Sequence, residues 1–122
     1  MILTRIELNN FGSYRNSNAF AIQTDDSNKK IVIIGGKNGA GKTTLFTAIE
    51  LALYGHYCFG YKNAGKLYTK KVMTFINDQA KLNDEESSFV SLDFSDSSSG
   101  DLDHYSVTRH WTWKRGEVRE NF

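Results

Sequence analysis

The sequence predicts an α/β fold, a mixed sheet with a helix laid along it and an antiparallel hairpin further on. Three observations point there. Ile31–Ile34 is a run of four β-branched residues, the pattern of a strand covered on both faces. A glycine-rich stretch and then an apolar stripe of helical spacing follow it directly. Toward both ends of the chain, apolar and polar residues alternate with a period of two. The 122 residues, 39% hydrophobic and 13% aromatic, are enough for one domain with its own core and too few for two.

Taken in order, Ile2, Thr4, Ile6 and Leu8 alternate with Leu3, Arg5, Glu7 and Asn9, which predicts a half-buried strand. Asn9–Arg15 is a turn-rich break, Ala19–Gln23 a second strand and Thr24–Lys30 a polar loop. After the buried strand at Ile31–Ile34 come the glycines and a helix from Thr43 to Tyr54. Leu45, Ile49, Ala52 and Leu53 form its stripe, and Gly55 ends it. His56–Gly65 reads as a loop. Lys66–Ile76 reads as a second helix with Tyr68, Val72, Phe75 and Ile76 on one side. Beyond the polar stretch Asn77–Ser88, Val90, Leu92 and Phe94 mark one strand and Tyr105, Val107 and Arg109 another, joined through Ser95–Asp101 as a hairpin tip. Glu117–Glu120 begins a further element as the chain reaches Phe122, so residues 1–122 read as one lobe of a longer protein.

The chemistry is concentrated at Gly36-Lys37-Asn38-Gly39-Ala40-Gly41-Lys42-Thr43, which satisfies G-x-x-x-x-G-K-[ST] at every fixed position. Glycines at 36, 39 and 41 permit backbone angles closed to other residues, so that successive N–H groups, with those of Asn38 and Ala40, turn inward around an anion. The helix starting there adds its unpaired N–H groups, Thr44 included, and the positive end of its dipole. Lys42 reaches the β- and γ-phosphates as a point charge, and the Thr43 hydroxyl ligates Mg²⁺. A buried strand before the loop and an amphipathic helix after it are the context such a loop requires. The expected ligands are therefore ATP and Mg²⁺.

Hydrolysis needs more than this loop: an acid at the end of a second apolar strand, and a group that orients water. Asp93 is the one acid in an apolar strand, and its serine-alternating surroundings read as solvated. No catalytic residue is expected within the 122 residues.

The remaining residues argue mostly by exclusion. A net charge of +1 gives no global attraction to nucleic acid or anionic membrane. A single cysteine, Cys58, excludes an internal disulfide, and its apolar, aromatic setting argues against a reactive thiol. No signal peptide and no bilayer-spanning apolar run is visible, so the expected location is the cytoplasm, without membrane contact. His56, His104 and His110 lack the spacing of a metal site. Lys62, Lys66, Lys70 and Lys71, interleaved with Tyr61 and Tyr68, read either as a solvated helix face or as a contact for a phosphate backbone. Trp111 and Trp113 read either as stacking platforms for a single strand or as cover for the sheet edge or for a missing part of the lobe.

Asn10-Phe11-Gly12-Ser13-Tyr14-Arg15, then Ile33-Ile34-Gly35-Gly36-Lys37-Asn38-Gly39-Ala40-Gly41-Lys42-Thr43-Thr44 with Ala48-Ile49 and Leu53-Tyr54-Gly55, resembles the start of SMC-like ATPases, P-loop NTPases with an ABC/SMC-type head. The resemblance covers essentially the whole chain. It implies an N-terminal ATPase lobe, a long coiled coil beyond it, and a C-terminal lobe that returns the acidic strand and the signature motif. It also implies an ATP-dependent homodimer of the full protein acting on DNA with other subunits of a modification, restriction or repair complex. The Met1-Ile-Leu start and Asn-Phe-Gly-x-Tyr-Arg look closest to the DndD branch, the ATPases of DNA phosphorothioation (sulfur modification). The double-strand-break-repair branch is the alternative within the family. Outside that reading stand a non-hydrolysing nucleotide-binding scaffold and a small-molecule kinase, although kinases usually alternate strand and helix in a parallel sheet. Many members place a basic residue where this chain has Gly12. Arg15 takes that nucleotide-facing role or is an exposed loop arginine. Gln79 lies too early to be the family's glutamine loop.

Overall fold

The computed structural model describes residues 2–21, 42–97 and 100–122, with the backbone alone at Lys42 and Thr43. The strand expected at Ile31–Ile34 and the loop at Gly36–Gly41 lie outside the described residues. Five strands form one sheet: β1 (Ile2–Phe11), β2 (Tyr14–Ala21), β3 (Ser87–Asp96), β4 (Asp103–Lys114) and β5 (Glu117–Asn121). Their order is β2-β1-β3-β4-β5, and every described pairing is antiparallel. The helices are α1 (Lys42–Tyr54), which runs into a 3-10 turn at Gly55–Phe59, and α2 (Lys66–Met73); a second 3-10 turn spans Ala80–Leu82.

Both faces of the sheet follow from the period-2 alternation of the strands. One carries Ile6, Leu8, Val90, Leu92, Trp111 and Trp113, all buried beneath the helices. The other is polar: Arg5 pairs with Glu7 at 2.9 Å and approaches Asp93 at 3.8 Å, and Ser91 shares a hydrogen bond with Thr108 across the β3–β4 ladder. Asp93 accepts a hydrogen bond from Ser106 on this face at 2.7 Å, in keeping with its reading as a solvated strand residue.

Strict alternation fails at the start of β1. Leu3 faces Phe94 while Arg5 faces Asp93, so the register slips by one residue between them. Such a bulge turns the following side chains to the other face. Leu3 therefore packs against the core with Phe94, and Ile2 is 62% exposed.

α1 also lies rotated from its expected stripe. Leu45, Ala48, Leu51 and Ala52 are buried, whereas Leu53 is exposed and Ile49 is only partly covered. Ala48 and Ala52 make this the thinnest side of the helix, the side that can approach a sheet most closely. α2 ends at Met73 rather than Ile76, because Thr74, Phe75 and Ile76 donate to carbonyls three residues back. That tightening frees Ile76 to bridge Phe11.

Trp111 and Trp113 correct a sequence expectation. Neither is a free stacking platform or edge cover, since they are 0% and 3% exposed. β4 is longer than its apolar alternation suggested, and both indoles fall within it, opposite Ser88 and Val118. Each N–H is satisfied inside the fold, Trp111 by Glu120 at 2.9 Å and Trp113 by the carbonyl of Asn83 at 3.1 Å, as buried indoles require.

Candidate nucleotide site

The site is built around the N-terminus of α1. Gly36, Asn38, Gly39, Ala40 and Gly41 lie outside the described residues. Lys42 and Thr43 open α1, and Thr44 sits in its first turn, half-buried. No acidic residue occupies that turn. Within that turn no carboxylate offsets the positive end of the helix dipole, which suits a polyanionic ligand.

The Asn10–Arg15 turn is pressed against this helix start. Asn10 lies at φ 52° and Gly12 at φ 59°, the left-handed region that asparagine tolerates and glycine favours. A Cβ at Gly12 would fall 2.5 Å from Cγ2 of Thr44. A basic side chain, which many SMC-like ATPases carry here, has no room at this position.

Asn10 organises the turn. Its side-chain amide donates to the Ser87 carbonyl at 2.8 Å, and its Oδ1 accepts from Arg15 at 2.6 Å and from the Asn16 amide at 2.7 Å. Its own carbonyl accepts from the Asn77 amide at 2.9 Å. Asn77 donates from its side chain to the Gly12 carbonyl at 3.1 Å, and its Oδ1 caps Gln79 and Ala80. Gly12 N–H donates to the Phe75 carbonyl, while Phe11 stacks on Phe75 with ring centres 6.0 Å apart. The turn is therefore fixed from two sides, by β3 and by the segment after α2. Gln79 has no larger part than starting the 3-10 turn.

Arg15 is held rather than loose. One terminal nitrogen donates to Asn10, and the other pairs with Glu86 Oε1 at 2.6 Å. Both side chains are partly buried. A guanidinium carries five N–H donors, so this arrangement fixes the plane of Arg15 and leaves donors over.

At the other end of α1 stands a buried ionic cluster that the sequence did not announce. Glu120 on β5 accepts from Arg109 at 3.2 Å, from Trp111 at 2.9 Å and from the Tyr68 hydroxyl. Arg109 also donates to the Ala52 carbonyl of α1 at 3.2 Å, and Phe122 covers its guanidinium at 4.1 Å. Gly55, at φ 57°, is where the chain passes Arg109; a Cβ there would meet its Nη1 at 2.9 Å. Burial, and then the neighbouring Glu120 carboxylate, push the Tyr68 hydroxyl well above its ordinary value of 10.0. This cluster ties the end of α1 to α2, β4 and β5.

Cys58 is partly buried, and its thiol lies 3.9 Å from Glu50. Burial first, and then the Glu50 charge, raise its pKa, the reverse of what a reactive thiol needs. Among the described residues no group of three or more His, Cys, Asp or Glu is placed to hold a metal, and no helix is long and apolar enough to cross a membrane.

The AAA domain family model matches residues 5–121. The chain belongs to the AAA domain family. It is also 45% identical over 53 residues to Arcadin-4 of Pyrobaculum calidifontis, a match covering 43% of this chain and 6% of that protein's length. Members of the AAA family bind a nucleotide, typically with a metal ion, and are typically ATPases. This chain shares the family's mixed architecture, an antiparallel sheet with helices among its described residues.

Proposed function

We propose that this lobe is the ATP-binding N-terminal half of an SMC-like, DNA-processing ATPase head that works in the cytoplasm in restriction linked to DNA sulfur modification. The observation that carries the reading is the junction at Lys42. A complete G-x-x-x-x-G-K-[ST] sequence runs straight into a 13-residue helix whose first turn has no acidic residue. The Asn-Phe-Gly-x-Tyr-Arg turn packed against Thr44 supports the SMC-like assignment, and its sequence favours the DndD branch.

In this mechanism the amides at Gly36, Asn38, Gly39, Ala40 and Gly41, with those opening α1, would hold the phosphates. Lys42 would balance charge on the β- and γ-phosphates, and the Thr43 hydroxyl would be the protein ligand to Mg²⁺. Arg15, its plane fixed by Asn10 and Glu86, offers its remaining donors to the nucleotide. Bound Mg-ATP supplies the phosphoanhydride whose hydrolysis drives the assembly. The acidic strand and the signature segment come from a C-terminal lobe and a second copy, and DNA and further subunits engage that closed dimer.

Titration calorimetry with Mg-ATP tests the reading. Binding by the 122-residue chain is expected, and Lys42→Ala is expected to abolish it. Equal affinity in the variant would sink the phosphate-loop assignment. Sustained ATP turnover by these residues alone would show that the active site is complete without a second half.

A further inference from the structure

We propose that the outer edge of β5 is a docking strip for an acidic, extended polypeptide segment of a partner, which adds a further strand to the sheet. Within the described residues β5 pairs with β4 on one side and with no strand on the other. An unpaired edge presents a row of N–H and C=O groups, and native proteins usually blunt or cover it.

A groove of about 790 Å³ runs along this edge. Its wall includes the four consecutive residues Gly116, Glu117, Val118 and Arg119. Successive strand side chains point to opposite faces, so a cavity lined by all four lies against the strand's edge rather than on either face of the sheet. The opposite wall is α2, whose Lys66 and Lys70 stand one turn apart, with Thr69 and Met73 beside them.

The charge of the groove selects its occupant. Lys66, Lys70, Lys81 and Arg119 line it against a single acid, Glu117. Among the described residues only Lys81 of these four is ion-paired, to Asp78 at 2.9 Å. Met73 and Val118 supply an apolar strip between the charges. The net positive charge of the groove, carried chiefly by Lys66 and Lys70 on the α2 wall, fits an acidic partner. The strand edge then decides between acidic polymers. A polypeptide backbone offers alternating donors and acceptors at the spacing of β5, whereas phosphodiester oxygens only accept and leave the β5 carbonyls unmatched. An acidic peptide satisfies both walls at once.

The probe is a fluorescein-labelled ten-residue peptide of alternating Glu and Val, followed by fluorescence anisotropy on the full chain. Saturable binding is expected. Lys66→Glu/Lys70→Glu, two exposed changes on α2, should weaken it by about tenfold or more, with circular dichroism unchanged. The same peptide N-methylated at every amide should not bind, because it cannot pair with a strand edge. Equal affinity for the N-methylated peptide, or for a Lys–Val peptide, would overturn the proposal. A ten-nucleotide oligothymidylate that displaces the peptide at lower concentration than unlabelled peptide would overturn it in favour of nucleic acid.

Discussion

Gly12 backs directly onto Thr44: at φ 59° it has no Cβ, and one placed there would lie 2.5 Å from the threonine's Cγ2. The two residues are far apart in sequence, yet they set how closely the Asn10–Arg15 turn approaches the start of α1. Gly12→Ala should therefore act twice, through backbone strain of about 1–2 kcal/mol and through a steric clash of about 1–3 kcal/mol. Urea denaturation reads the stability loss, and Mg-ATP titration reads the accompanying drop in affinity. Thr44→Ser keeps the hydroxyl and removes the clashing methyl, so Gly12→Ala/Thr44→Ser should recover part of both. A double mutant no better than Gly12→Ala alone would show that this contact does not govern the turn.

Glu120 is the acceptor for three side chains from α2 and β4. Glu120→Ala leaves Arg109 buried without its counter-charge, which costs about 3–5 kcal/mol. Glu120→Gln keeps an acceptor oxygen and should lose less. The comparison is made by denaturant unfolding at neutral pH, with the slope of the transition checked for two-state behaviour. A loss below about 0.5 kcal/mol for Glu120→Ala, the range of ordinary surface changes, would place the cluster outside the stabilising core.

Tyr68 gives that cluster a signature in alkali. Its hydroxyl is held above its ordinary value of 10.0 in the folded chain, so the unfolded state ionises first as pH rises. The contribution is whole below pH 10 and is lost as pH climbs from there toward the folded value. Tyr68→Phe has no such group. The stability difference between wild type and Tyr68→Phe should be flat from pH 7 to 9 and shrink above pH 10. A difference that grows above pH 10 would mean that the folded state favours the phenolate.

How much of this was legible in the sequence depends on whether the deciding contact is local. Both helices and the β3–β4 hairpin are written in spacing and residue type, although α2 stops three residues short of its expected end and α1 turns a different stripe inward. The phosphate loop lies outside the described residues. Leu3 was misplaced because a bulge is a property of two paired strands, and β1 alone gives no sign of it. Trp111 and Trp113 looked like surface aromatics because β4 was taken to end early, at Arg109; their burial depends on β3 and β5 flanking them. Asn10, Asn77 and Glu86 read as ordinary polar residues, and only the fold brings them around one turn. Gly12 had the clearest signal, a missing basic residue, but its cause was Thr44, a partner 32 positions on.

Cys58 provides a measurement on the outward side of α1. Its thiol is held up first by burial and then by Glu50, and the thiolate is the form that alkylates. Iodoacetamide should therefore modify Cys58 in the folded chain more slowly at pH 8 than after unfolding. Glu50→Gln removes the charge while keeping the length of the side chain, so its rate-versus-pH curve should shift to lower pH. Because burial is the larger cause, the shift should be partial, and full unfolding should move the curve further. Mass spectrometry of timed aliquots gives the rates. Identical profiles for wild type and Glu50→Gln would assign the raised pKa to burial alone.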